Sequence, residues 1–363
     1  MGDEPSIPPG SREQDPRRPC YLYRLMRRAA RLAAVIPLLL ASACGGGGGP
    51  TGPDATPRHP VALTVFYDEN GDGVAAATEN ARVPDVAVEI AGQSGTSAKV
   101  TGETTVPNVP DGHHTVGLRS GTMPPYYRLS GAAPSVDVPQ ANPGAVALTL
   151  PIGGNRANRY LGFGDSITEG LGSREIDGYR GPLQEALQRH FGRGVVELDG
   201  LGGSKSDDGS ARINGVLNRV RPAYTLILYG TNDWKRCEQQ VPCYTVDALR
   251  SMIGAAKSIQ SLPILGTIPP VNPNENLPER NDWVKRMNVA VKAMAAQENV
   301  PVAEIEAGFY RTAGGDSGLP ALFVDTVHPN DRGYQIISDA FFRAIVGQPA
   351  PAAASALRSL FRF

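Results

Sequence analysis

The sequence predicts an α/β fold: a three-layer α/β/α sandwich on a five-stranded parallel sheet, preceded by a small antiparallel β-sandwich. Two observations carry this. From Arg159 onward, short apolar runs alternate with helical stretches five times, the pattern of a parallel sheet covered on both faces. Between residues 59 and 152, period-two runs are separated by Gly/Pro turns. A chain of 363 residues has room for two such domains. Its charged fraction of 20% and formal net charge of −1 leave no basic surface for a nucleic-acid partner.

Residues 1–43 read as an export signal. Arg24, Arg27, Arg28 and Arg31 form a positive segment, and Leu32 to Ala41 is an apolar run too short for a permanent membrane span. Small residues then lead into Cys44. The arrangement resembles a bacterial lipoprotein signal, which implies cleavage before Cys44, acylation of Cys44 and a place in the cell envelope, anchored by lipid to the outer membrane. An ordinary secretory signal cut nearby is the alternative. Met26 would open a signal of normal length, so it competes with Met1 as the start. Residues 44–58 are a Gly/Pro linker that would serve as a tether. Cys237 and Cys243 are six apart, and an oxidising compartment favours a local disulfide between them.

Strands follow at Val61–Tyr67, Val86–Ile90, Thr115–Arg119, Ser135–Val138 and Ala145–Leu150, within a β-domain spanning 59–152. Asn108 to Val116 resembles the turn-and-strand signature of prealbumin-like and surface-protein B-type repeats. Between the first two strands lies Asp68-Glu-Asn70-Gly-Asp72-Gly73 with Glu79 beyond, the spacing of a calcium loop. Asp68, Asn70, Asp72 and Glu79 would supply side-chain oxygens and Val74 its carbonyl. A polar hairpin turn built from the same residue types is the alternative.

The second domain, 155–347, has predicted strands at Tyr160–Phe163, Val195–Leu198, Tyr224–Tyr229, Pro263–Ile268 and Val302–Ile305. Its helices are expected near 179–190, 207–220, 245–260, 280–298 and 331–346. Residues 348–363 form a tail without a clear signal. Ligands of such sheets bind at the carboxyl ends of the strands. Ser166, Gly203 and Asn232 each fall just after a predicted strand. Downstream, Asp325 and His328 stand three apart, close enough in a tight turn for the carboxylate to hold the imidazole. Together these residues supply a nucleophile, a base, its orienting acid and oxyanion donors. The chemistry requires no metal or organic cofactor.

Gly164-Asp165-Ser166, the Gly203 region, Gly230-Thr231-Asn232-Asp233 and Asp325-x-x-His328-Pro329 resemble, in order, the four blocks of the SGNH (GDSL) hydrolases. The resemblance covers about 159–347. It implies a flavodoxin-like fold, with Ser166 as nucleophile, His328 as base and Asp325 as triad acid. The Ser166 and Gly203 N–H groups and the Asn232 amide would form the oxyanion hole. Gly200 and Gly202 compete with Gly203. Asp177-Gly-Tyr-Arg-Gly-Pro-Leu183, Thr267-Ile-Pro-Pro270 and His328 to Tyr334 resemble the acetylxylan-esterase branch, implying an acetylated polysaccharide or oligosaccharide as substrate. A lysophospholipase or thioesterase is the alternative enzyme. A surface glycan-binding or adhesion protein with an inactive hydrolase domain is the alternative of another class.

Overall fold

A computed structural model describes residues 56–349, which belong to one compact unit. The signal segment, Cys44, most of the linker and the tail from residue 350 lie outside the described residues.

Among the described residues, nine strands precede the main sheet. They are β1 (Arg58–Tyr67), β2 (Ala87–Ile90), β3 (Gln93–Thr96), β4 (Glu103–Pro110), β5 (Gly112–Thr115), β6 (Gly117–Leu118), β7 (Arg128–Leu129), β8 (Ser135–Val138) and β9 (Gly144–Thr149). They form a four-stranded sheet in the order β4-β1-β9-β7, a three-stranded sheet β3-β2-β6 and an antiparallel pair β5-β8. The first sheet departs from the expected antiparallel arrangement in one place: β1 and β9 run parallel, with Leu63 opposite Gly144 and Tyr67 opposite Leu148. Parallel neighbours need a long crossover, and here seven strands lie between the two. Alternation along β1 buries Val61, Leu63 and Val65.

The main sheet holds β10 (Arg156–Gly164), β11 (Val195–Gly200), β12 (Pro222–Leu228), β13 (Leu262–Gly266) and β14 (Val302–Ala303). All four pairings are parallel, in the order β11-β10-β12-β13-β14. The helices are α1 (Ser166–Glu169), α2 (Arg180–Phe191), α3 (Ser206–Val220), α4 (Trp234–Cys237), α5 (Tyr244–Ser258), α6 (Pro278–Gln297), α7 (Ile305–Ala313) and α8 (Asp331–Val346). β10 shows how the layers are built. Tyr160 packs into the apolar cluster that includes Leu183 and Leu187 of α2 and Phe341 of α8, while Leu161 and Phe163 join the one with Ile213 of α3, Leu249 of α5 and Met287 of α6. β12 is buried at every position, as expected of a central parallel strand covered on both faces.

The β-strand region does not hang free of this sheet. The Tyr126 hydroxyl donates to Pro263 O at 2.7 Å, Tyr127 stacks on Phe191, and Arg82 N–H donates to Phe191 O at 2.9 Å. Glu69, inside the acidic loop, accepts from Asn158 Nδ2 at 2.6 Å and from Arg193 Nη1 at 3.2 Å.

Candidate active site

β10 ends at Gly164, beside the end of β11 at Gly200. A Cβ on Gly164 would lie 2.1 Å from Thr168 Oγ1 and 2.4 Å from Leu228 O, so only glycine lets the chain turn here against β12. Asp165 then caps α1, accepting from Ile167 N–H at 2.9 Å, and Ser166 opens the helix. Ser166 retains 6% of its surface, enough for an approaching substrate atom to meet it.

His328 reaches this point from the far end of the chain. Its Nε2 lies 2.9 Å from Ser166 Oγ, and its Nδ1 lies 2.7 Å from Asp325 Oδ2. Asp325 also accepts from the backbone N–H groups of Val327 (2.9 Å) and His328 (2.7 Å) through Oδ1. One tight turn thus fixes both carboxylate oxygens. Burial acts to raise the Asp325 carboxyl, but the hydrogen bonds from His328 and the backbone outweigh it and leave it lowered. The acid is therefore charged at neutral pH and holds the imidazole with Nε2 facing the hydroxyl.

The second and third blocks face the same point. Gly200 is packed tightly, since a Cβ there would lie 2.1 Å from Glu169 N, whereas Gly203 is exposed with φ +71 and an open side. Among the described residues neither Ser166 N–H nor Gly203 N–H donates to another group. The Asn232 amide donates to Ser204 O at 3.0 Å, with Asp165 Oδ2 at 3.4 Å. The latter is longer than a full hydrogen bond, so that N–H is available to a stronger acceptor. Sequence reasoning missed these contacts, by which the Asn232 amide reaches both the glycine block and the turn that carries Ser166. Burial raises the Asp165 carboxyl to about 7, the backbone bond from Ile167 opposes this, and the nearby Asp233 carboxylate adds to it.

Asp233 braces the loop. It accepts from Ser206 N–H (3.0 Å), Tyr244 Oη (3.0 Å) and Thr245 Oγ1 (2.6 Å). Cys237 and Cys243 are disulfide-bonded, joining the end of α4 to the start of α5 just beyond this block. Tyr179 is fully buried against Phe341 and belongs to the core, whereas Trp234 is half-buried and packs edge-on against the core residue Trp283.

The acidic loop of the β-region is a separate cluster. One oxygen each of Asp68, Asp72 and Glu79 lie within 4.8 Å of one another, and Asp68 and Glu79 are buried. These carboxylates also accept backbone N–H bonds, as Gly71 to Asp68 at 2.7 Å and Glu69 to Glu79 at 2.9 Å show. Asn70 and Val74 are exposed; the Asn70 oxygen accepts from Asp72 N–H at 2.8 Å.

Residues 163–336 match the model of the GDSL-like lipase/acylhydrolase family. That stretch is 174 of the chain's 363 residues, and its similarity to the family indicates an ester-hydrolysing serine hydrolase. The chain matches none of the curated proteins. Among solved structures it is similar to the lipase/acylhydrolase from Enterococcus faecalis, at 24% identity and TM-score 0.44, over 52% of this chain and 96% of that one. It is also similar to an acetylxylan esterase from Geobacillus stearothermophilus, at 25% identity and TM-score 0.44, over 53% of this chain and 95% of that one. A GDSL-like lipase from Bacteroides thetaiotaomicron is 22% identical, with TM-score 0.40, over 52% and 87%.

Proposed function

We propose that Ser166 attacks the carbonyl carbon of an ester while His328 Nε2 takes its proton, and that Asp325 holds the imidazolium that forms. The continuous hydrogen-bonded line from Ser166 through His328 to Asp325 carries this reading. The tetrahedral oxyanion takes the N–H groups of Ser166 and Gly203 and the long-bonded N–H of Asn232. His328 then protonates the leaving alcohol, and water hydrolyses the acyl-enzyme by the same steps in reverse.

The substrate is an acetylated oligosaccharide or polysaccharide. A hollow of about 200 Å³ is lined by Ser173, Arg174, Glu175, Asp177, Gly178, Pro182 and Asp331, whose polar side chains offer partners to sugar hydroxyls; Ser173 follows Gly172, where an added Cβ would lie 3.1 Å from His328 Cβ. One observation favours the second reading, a lipid-type acyl ester: Leu171, Leu201 and Val324 are exposed on the loops around Ser166. Rates on acetylated xylo-oligosaccharides and on acetyl-to-decanoyl p-nitrophenyl esters separate the two. The first predicts deacetylation of the sugar and a fall in kcat/KM beyond short acyl chains. A rise toward decanoyl with no release of acetate from the sugar supports the second.

We further infer export and lipid anchoring at Cys44, supported by the leader sequence and by the disulfide. Fatty-acid labelling in the producing cell that persists in Cys44→Ala would contradict it. Asp68, Asp72 and Glu79, with Asn70 and the Val74 carbonyl, are proposed to hold a structural calcium ion, since an all-oxygen donor set with three carboxylates suits a hard cation. Catalysis takes no step through it.

A further inference from the structure

Catalysis by this site requires two separate loops to stay in register. One follows β12 and carries Thr231 and Asn232; the other carries Asp325, Thr326 and His328. The segment 271–277 and the first turn of α6 lie between them. Arg280, in that turn, donates through Nη2 to Thr231 O at 3.0 Å and through Nη1 to Asn276 Oδ1 at 2.7 Å. Asn276 Nδ2 in turn donates to Thr326 O at 2.8 Å and to Asn272 O at 2.9 Å. Asn272 N–H closes the arrangement on Thr326 O at 3.1 Å. One guanidinium and one amide therefore span from the Thr231–Asn232 peptide to the Thr326–Val327 peptide.

We propose that Arg280 is a positioning residue of the esterase site, setting the place of the Asn232 amide relative to His328 through Thr231 on one side and Asn276 on the other. Arginine suits this task because its planar fork reaches two acceptors at a fixed spacing, which a lysine ammonium does not reproduce. Among the described residues the guanidinium has no carboxylate within salt-bridge distance, so both bonds go to neutral oxygens. Burial lowers its pKa, with no ion pair to offset the desolvation. Neutral acceptors supply direction rather than charge neutralisation, which marks geometry as the product of this contact.

The inference rests on Asn232 serving the oxyanion, and a double-mutant cycle separates the two. kcat and KM for p-nitrophenyl acetate are measured in wild type, Arg280→Ala, Asn232→Ala and the double variant. Arg280→Ala should lower kcat about tenfold to a hundredfold, the scale of a small misplacement of a catalytic group, with KM moved far less. On the Asn232→Ala background, removing Arg280 should have almost no further effect, because the group it positions is gone. Arg280→Lys should not restore the rate. Asn276→Leu cuts the other arm and should show the same dependence on Asn232, which keeps the test open if Arg280→Ala folds poorly. An unchanged kcat in Arg280→Ala, or losses that simply multiply in the double variant, overturns the positioning role. An Asn232→Ala enzyme as fast as wild type overturns the oxyanion reading instead.

Discussion

Replacing Asp165 with Asn should change how stability depends on pH. The carboxyl is fully buried, and its pKa stands at about 7 in the folded protein against an ordinary value of 3.8. Between those values the folded state binds the proton and the unfolded state does not. Stability from this group is therefore fully present below the unfolded pKa and is lost as pH rises through the folded one. Each unit is about 1.4 kcal/mol, so a rise from 3.8 to about 7 corresponds to roughly 4 kcal/mol between pH 4 and pH 8. Asparagine keeps an oxygen to accept from Ile167 N–H and cannot titrate. Urea unfolding of both proteins at pH 4.5, 6 and 7.5 gives the difference directly. The variant should gain on wild type by several kcal/mol across this range. Parallel pH curves for the two proteins would refute the reasoning, because the folded state would then hold Asp165 no differently from the unfolded chain.

Two other outcomes follow from the same geometry. Asn232→Ala should lower kcat for p-nitrophenyl acetate by about 10²–10³ with little change in KM, since its amide meets charge present only in the transition state; a change confined to KM would assign it to substrate binding. Calcium should raise the melting temperature of the mature chain, by mass action on the folded form, and Asp72→Ala should abolish that response while ester turnover at 25 °C stays constant. Identical melts with calcium and with chelator would leave Asp68 to Glu79 as a polar loop held by its backbone bonds.

Much of the fold was legible because β-α alternation is a local signal. Strand Tyr160–Phe163 and helix 331–346 are both present, and the sheet is parallel throughout. The meeting of Asp325 and His328 was legible for the same reason, since three residues separate them. Where long-range packing decides, the sequence was silent. The predicted strand Val302–Ile305 ends at Ala303, because Ile305 begins α7, whose buried Ile305 and Phe309 join the core. The parallel pairing of β1 with β9 has no local signature. Nor does the docking of Glu69 on Asn158 and Arg193, which join residues about ninety or more positions apart. At the site, Asn232 was identifiable as a polar residue after a strand. Its bond to Ser204 O depends on how two loops approach, as does the bridge through Arg280.

The central claim is that Ser166 is the nucleophile of a working ester hydrolase, and covalent labelling tests it most directly. The protein is treated with a fluorophosphonate, digested, and the modified peptide sequenced by mass spectrometry, alongside p-nitrophenyl acetate turnover. The label should sit on Ser166, at one equivalent per chain, with complete loss of turnover; Ser166→Ala should remain folded, take no label and be inactive. A label on another residue, or turnover near that of wild type in Ser166→Ala, would contradict the account.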